Sequence, residues 1–478
     1  MIQKILFVSL SQRHKHQLKQ LAITIITIAV LFVAVSPTLA DSPQQATGPI
    51  YIVQQGDTLN EIAIRFGLSA EDIQTANAID NPNSLFVGQN LLIPGLEGIT
   101  GILTSTVLPL GTSLNDLSRQ YRLDLSDLKV LNRLTSPSEI IAGVSFIIPV
   151  DENQDQNLPI TAPALGESPL ETAIRAGLSP WLMIENNRLV ATWDLLAGET
   201  VYTDQNFGVD HNDTNSFIDI SINQLPVVQG ETLHVLISTS TPVEISGAFN
   251  GETMQFFTKN ANEYHSFFGI HAMTAPGVYP LKIRAEGTDG TQYKFDQLIL
   301  LASGFYGFET LTVPELYLDE EMIAEETAFL KPFINQFTTD KLWEGRFQYP
   351  VDEPCPSSQF GLRRDYNNGR LFGYHTGLDF RVCAPNLNIY ATAAGRVNIA
   401  EELFTKGKAV YIDHGWGVIS GYAHLAEMLV EVGDFVQPGD LIGIIGSTGR
   451  STGPHLHFEM YNSGTPVNPL TWLTQSFP

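Results

Sequence analysis

Residues 446–459 read Gly-Ser-Thr-Gly-Arg-Ser-Thr-Gly-Pro-His-Leu-His-Phe-Glu. Leu456 and Phe458 alternate with His455 and His457, the period-two pattern of a strand with one apolar face and one polar face. Both imidazoles are therefore expected on the same side of that strand. The Gly-rich run before them is no phosphate-binding loop, because the Gly-Lys-Ser/Thr ending is absent and the run leads into a strand rather than a helix. It is expected to shape one wall of a substrate groove.

Upstream, His375-Thr376-Gly377-Leu378-Asp379 lies between Phe372 and Phe380. The stretch reads as extended chain, with positions 375, 377 and 379 on one face and Gly377 leaving room between two converging side chains. Imidazole nitrogen and carboxylate oxygen are suitable zinc ligands. Three protein ligands with one open position mark a catalytic site, whereas structural zinc usually recruits cysteines. His375, Asp379 and a histidine of the 455/457 pair are thus the candidate metal ligands. His414, in the turn Asp413-His414-Gly415-Trp416-Gly417, reads as structural. Glu459 either supports a ligand histidine or faces solvent. Arg363 and Arg364 are candidates for binding a substrate carboxylate.

These stretches stand among others: Ser358-Gln359-Phe360-Gly361-Leu362-Arg363, Ala393-Ala394-Gly395-Arg396-Val397, Ile412-Asp413-His414-Gly415, Tyr422-Ala423-His424-Leu425 and Val436-Gln437-Pro438-Gly439. Together, residues 346–478 resemble the catalytic domain of the M23, or lysostaphin-like, metallopeptidases. The resemblance implies a β-rich zinc endopeptidase with one Zn2+ on His375, Asp379 and His457. It implies that His424 and His455 assist catalysis. No position of that set is missing, which argues against a non-catalytic regulator of other wall hydrolases. The implied reaction is hydrolysis of peptide bonds in peptidoglycan stems or cross-bridges.

The N-terminal half repeats. Gly56, Asn77 and Gly88 are matched by Gly111, Asn132 and Gly143, and again by Gly166, Asn187 and Gly198. Each unit is expected as strand, two short helices and strand. In the first, Asp57 or Thr58 caps a helix containing Leu59, Ile62, Ala63 and Phe66, Ser69 caps a second, and Pro94 ends the closing strand. Residues 50–95 resemble a LysM domain, which implies binding of N-acetylglucosamine-containing glycan in peptidoglycan or chitin. The implied sugar contacts are Asp57, Thr58, Leu59, Asn77 and Ile79. Residues 104–150 are a divergent copy, with Thr-Ser in place of Asp-Thr. Residues 160–205 are a degenerate one that lacks the closing Ile-Pro, and both diverged copies read either as glycan binders or as units kept for packing.

Residues 1–20 are basic without an acid, Leu21–Val35 is apolar, and Ser36-Pro37-Thr38-Leu39-Ala40 offers small residues before a cut. Residues 1–40 therefore read as a secretory signal, although an uncleaved anchor is the alternative and would be the only membrane contact. The chain is expected outside the cytoplasmic membrane, secreted or envelope-associated. In that oxidising setting Cys355 and Cys383 are expected to form one disulfide, the alternative being two free thiols. Residues 214–303 carry short alternating runs separated by Asn-Gly, Pro-Gly and Asp-Gly turns, which predicts an antiparallel, Ig-like β-sandwich. Its histidines 234, 265 and 271 follow no metal-ligand pattern. Residues 315–345 form a link, with a helix expected over 319–341 that Pro332 breaks or kinks.

The expected architecture is multidomain and mainly β. The chain has 478 residues, with 26 Lys and Arg against 51 Asp and Glu, a formal charge of −25. Such an acidic chain is a poor ligand for a phosphate backbone, so nucleic acid is excluded as a partner. The expected partner is peptidoglycan, through its glycan and its stem peptides. An adhesion or scaffold role, with residual peptidase, is the competing reading.

Overall fold

The computed structural model describes residues 48–96, 98–150 and 218–478, with parts of 160–202 between them. The signal expected over 1–40 lies outside the described residues, as do most of the polar, Pro-containing stretch 151–164 and most of residues 188–200 in the third repeat. Among the described residues no helix is long and apolar enough to cross a membrane.

Residues up to Thr100 form one compact unit and residues from Gly101 onward another. In the first unit, strand β1 (Ile50–Ile52) pairs antiparallel with β2 (Asn90–Leu92). Between them lie helices α1 (Leu59–Phe66) and α2 (Ala70–Asn77). Thr58 and Ser69 each form a capping box with the acid three residues on, Glu61 and Asp72, satisfying N–H groups the helix leaves open. Leu59, Ile62, Ala63 and Ile73 are buried beneath.

The second unit opens with the second repeat: β3 (Ile102–Val107), α3 (Leu114–Tyr121), α4 (Leu125–Leu131) and β4 (Ser145–Val150). The third follows as β5 (Ile160–Thr161), α5 (Pro169–Arg175), α6 (Pro180–Asn186) and β6 (Val201–Tyr202). The repeated asparagine has one structural job in all three copies. Its amide nitrogen donates to the carbonyl four residues back and to the carbonyl of the closing strand, Leu92, Ile147 or Tyr202. Its side-chain oxygen accepts from an N–H of the same strand, each time at 2.6 Å. The third copy keeps this clasp without the Ile-Pro ending. Its prolines do not break its helices, since each falls in the first turn, where a missing N–H costs nothing.

Among the described residues, nine strands build the sandwich: β7 (Ile218–Ile222), β8 (Val227–Val228), β9 (Thr232–Thr239), β10 (Val243–Phe249), β11 (Glu252–Met254), β12 (Phe257–Asn260), β13 (Glu263–Gly269), β14 (Gly277–Gly287) and β15 (Gln292–Ala302). One sheet runs β11-β10-β14-β15-β8 and the other β12-β13-β9-β7; only the β15–β8 pair is parallel. The second repeat is joined to this domain: Ala142 donates to Leu298 O and accepts from Leu300 N, extending the edge beside β15. Strand β13 is buried on both faces. Tyr264 and Phe268 enter the sandwich core, while Phe267 joins the core of the following domain.

Strand β16 (Phe308–Leu311) and helix α7 (Glu320–Ile334) lead onward. The helix stops at Ile334, short of the expected 341. Beyond it the chain bonds to the C-terminal domain instead: Trp416 N donates to Thr338 O, Trp416 Nε1 to Thr339 O and Leu342 N to His414 O. Pro332 sits in the last turn and leaves the helix intact.

The C-terminal domain contains β17 (Pro356–Ser358), β18 (Arg363–Tyr366), β19 (Leu371–Tyr374), β20 (Leu378–Arg381), β21 (Asn388–Tyr390), β22 (Gly395–Leu403), β23 (Gly407–Asp413), β24 (Val418–Met428), β25 (Phe435–Val436), β26 (Leu441–Ile445), β27 (His455–Asn462), β28 (Thr465–Val467) and α8 (Pro469–Thr474). Its main path is β17-β20-β27-β24-β23-β22-β25, with β16-β18-β19 as a small separate sheet. Buried Trp343, Trp416 and Trp472 pack around Phe267 of the sandwich. Cys355 and Cys383 form a disulfide.

Candidate active site

The chain from His375 to Asp379 is not one strand. Strand β19 ends at Tyr374 in the small sheet and β20 begins at Leu378 in the large one, so His375–Gly377 is a crossover between sheets. The crossover brings His375 back over the large sheet, where Asp379 lies opposite His457 in the β20–β27 register. Gly377 is required for a different reason than its spacing suggested. A Cβ there would lie 2.4 Å from Phe458 O and 2.9 Å from His457 Cε1, so only glycine lets the crossover lie against β27. Leu456 and Phe458 are fully buried in the core, which turns His455 and His457 to the opposite face.

His375 Nε2, Asp379 Oδ1 and His457 Nδ1 converge: they are separated by 2.9, 3.0 and 2.8 Å. All three residues are buried. The outward nitrogens have acceptors of their own. His375 Nδ1 faces Gln359 O at 2.8 Å, and His457 Nε2 faces Glu459 Oε1 at 3.1 Å. With the ring protons donated outward, each imidazole turns a lone pair inward, beside a carboxylate oxygen. Burial pushes the Asp379 carboxyl up, but its contacts with the two imidazoles outweigh this and hold it well below the usual carboxylate range. Burial lowers His375 to about 4. Three electron-pair donors at this spacing repel one another unless a cation lies between them, and two nitrogens with one oxygen suit zinc. Among the described residues this is the one group of His, Cys, Asp and Glu placed to hold a metal ion.

His424 and His455 flank the group, with rings 4.9 Å apart and His455 Nε2 3.8 Å from Asp379 Oδ1. Each spends its Nδ1 proton on a backbone carbonyl, His424 on Thr448 O at 2.8 Å and His455 on Gly453 O at 2.7 Å. Their Nε2 atoms are thereby left as proton acceptors. Burial, with the neighbouring histidines and Lys406, holds His424 well below the usual imidazole range. His424 has a left-handed backbone, φ +66°, beside irregular pairing of β24 with β23 and β26. Such distortion re-aims a side chain, and strain of this kind gathers at functional sites.

Glu459 is fully buried and does face His457, as one of the two sequence readings held. Burial pushes its carboxyl up, but Lys406 and His457 hold it well below the usual range. Lys406 Nζ lies 2.5 Å from its Oε1, Thr376 Oγ1 donates to the same oxygen, and the Tyr411 and Tyr461 hydroxyls donate to Oε2. Sequence reasoning missed Lys406, a lysine in a hairpin turn with nothing to distinguish it from a solvated one. His414 stays outside the site: it is fully buried, bonded to Ala394 O and Ser420 Oγ, and lowered by burial to about 4. Arg364 is not free for substrate, since Glu309 Oε1 takes its Nε at 2.6 Å. A groove of about 690 Å3 opens over the histidines; its walls include Glu309 from β16, Glu326 and Leu330 from α7 and Arg450 from the Gly-rich loop.

The residues singled out for glycan are only partly available. Leu59 is buried, Asn77 is consumed by its clasp, and Thr58 serves its capping box. Asp57 accepts from the Tyr51 hydroxyl and Gln54 N, and the Ile79 backbone pairs with Gln74. The motif residues of this loop therefore hold its shape, and Phe86 and Val87 are the large apolar side chains exposed near the second Gly.

Residues 373–469 match the model of peptidase family M23, and residues 51–94 and 111–149 match the LysM domain. The chain is 36% identical over 132 residues to the peptidoglycan DD-endopeptidase ShyA of Vibrio cholerae, covering 27% of this chain and 30% of that one. It is 42% identical over 118 residues to the DD-carboxypeptidase/endopeptidase Mpg of Neisseria meningitidis, covering 24% and 26%. These alignments span less than a third of either relative. The solved catalytic domain of lysostaphin from Staphylococcus simulans aligns with 30% of this chain and 98% of that one, at 27% identity and a TM-score of 0.20. Sequence matches of this kind establish that the chain carries an M23-family peptidase domain near its C-terminus, preceded by LysM domains.

Proposed function

We propose that the protein is a zinc-dependent peptidoglycan endopeptidase, working outside the cytoplasmic membrane and held to its polymer by LysM units. The observation that carries this reading is the convergence of His375 Nε2, Asp379 Oδ1 and His457 Nδ1 beneath an open groove, with two further imidazoles beside them. When bound, zinc would polarise the scissile carbonyl and acidify the attacking water. His375, Asp379 and His457 hold the ion. Of His424 Nε2 and His455 Nε2, one would accept the proton lost by the attacking water and return it to the leaving amine. Glu459 keeps the His457 tautomer in place, and Lys406 balances the buried carboxylate. Relatives named DD-endopeptidases favour a DD-bond in the peptide cross-link as the one cut. The LysM units raise local substrate concentration by tethering the enzyme to glycan.

Digestion of cross-linked muropeptides, followed by mass spectrometry of the products, tests this. Cleavage is expected with zinc, is abolished by a chelator and is restored by added zinc. Cleavage undiminished by chelation, or none from fully loaded protein, overturns the reading.

A further inference from the structure

Strand β16 lies outside the region that matches the peptidase family, yet it reaches the metal-ligand group. It pairs in parallel with β18, setting Glu309 opposite Arg364. Glu309 Oε1 accepts from Arg364 Nε at 2.6 Å and from Ser358 Oγ at 3.3 Å. The far end of the same guanidinium, Nη2, donates to Ser358 Oγ at 3.0 Å and approaches Asp379 Oδ2 at 3.5 Å. That is the carboxylate oxygen not shared with the two imidazoles. Arg364 thus steadies Asp379 from behind while leaving Oδ1 to the histidines.

A guanidinium this close to a metal-binding carboxylate has two competing uses. Held at one end, it orients the carboxylate. Released, it can swing into a two-pronged pair with both oxygens, the geometry guanidinium and carboxylate favour. It would also stand as an uncompensated buried cation beside a dication. Its side chain is 12% exposed, so water does little to screen it. The Glu309 carboxylate prevents both outcomes, by holding Nε and by neutralising the charge.

We propose that Glu309 is a positioning residue of the metal centre, supplied by strand β16 between sandwich and peptidase domain. This rests on the reading that His375, Asp379 and His457 hold zinc. Strand β16 then completes the site as well as joining domains.

The test is the zinc dissociation constant of the full-length chain, measured by competition with a chromogenic chelator. Glu309→Gln is expected to weaken zinc about 10–100-fold, the range typical of partners behind a metal ligand. Glu315→Gln, an exposed acid of the same segment paired with Arg370, is expected to stay within about twofold. Glu309→Gln/Arg364→Gln, which removes the released cation, is expected to bind zinc more tightly than Glu309→Gln alone. A merely structural role for Glu309 does not produce that recovery. Glu309→Gln within twofold of the unaltered chain overturns the proposal, as does a double variant no tighter than the single one. An unaltered chain that takes up no zinc overturns the metal reading itself, and this proposal with it.

Discussion

Each imidazole around the groove has its role set by what its second nitrogen touches. His375 and His457 give their outward protons to Gln359 O and Glu459, while His424 and His455 give theirs to Thr448 O and Gly453 O. Losing a ligand and losing a proton carrier should therefore differ. His457→Ala is expected to abolish both zinc binding and cleavage. His424→Ala or His455→Ala is expected to retain zinc, by elemental analysis, and lose about 10²–10⁴-fold in turnover. Lys406→Met leaves the fully buried Glu459 carboxylate with one cation fewer, and should lower stability by about 1–3 kcal/mol in denaturant titration. The histidines that converge with Asp379 were legible through the resemblance of their stretches to M23 peptidases, which also set His457 apart from His455 two residues earlier. Lys406 and Glu309 were not, because their roles depend on which distant strand each side chain meets.

At the scale of elements, a period-two pattern placed β27 and its two faces correctly, since Leu456 and Phe458 had nowhere to go but the core. The same reasoning failed at His375–Asp379. A five-residue window cannot show that its halves belong to different sheets, and the crossover is set by packing against β27 rather than by local preference. Gly377→Ala probes that packing. Its Cβ would meet the Phe458 carbonyl at 2.4 Å, so β20 must shift, at a cost on the order of 1–3 kcal/mol in a thermal or denaturant melt, with zinc affinity falling as Asp379 moves. The repeat asparagine shows the opposite limit. Its recurrence was plain in the sequence, but its use as a clasp between second helix and closing strand required the fold. Helix α7 was expected to reach 341 with a break or kink at Pro332, but nothing in the sequence marks where helical hydrogen bonds are exchanged for bonds to the 413–416 turn.

On the scale of the molecule, the domains from the second repeat onward share buried surfaces. His234 and His265 of the sandwich lie in the seam with the peptidase domain, His234 stacked on Phe267 and His265 on Trp416. Burial and the neighbouring His265 push His234 down to about 3. Unfolded chain takes up this proton near pH 6.5, so below that value the unfolded state binds more protons. Stability is then full above pH 6.5 and is lost as pH falls towards 3, by up to about 1.4 kcal/mol per unit for this one group. Thermal midpoints should fall from pH 7 to pH 4, and His234→Phe should make the fall shallower. The first LysM unit is separate in kind: deleting 50–95 is expected to weaken pelleting with sacculi while soluble-peptide cleavage persists. Every proposed step depends on a single ion held by two imidazoles and one carboxylate. Elemental analysis of purified full-length chain and of Asp379→Ala tests this most directly. Close to one zinc per unaltered chain and essentially none in the variant are expected; a variant that folds and still carries a full complement of zinc contradicts the proposed metal centre.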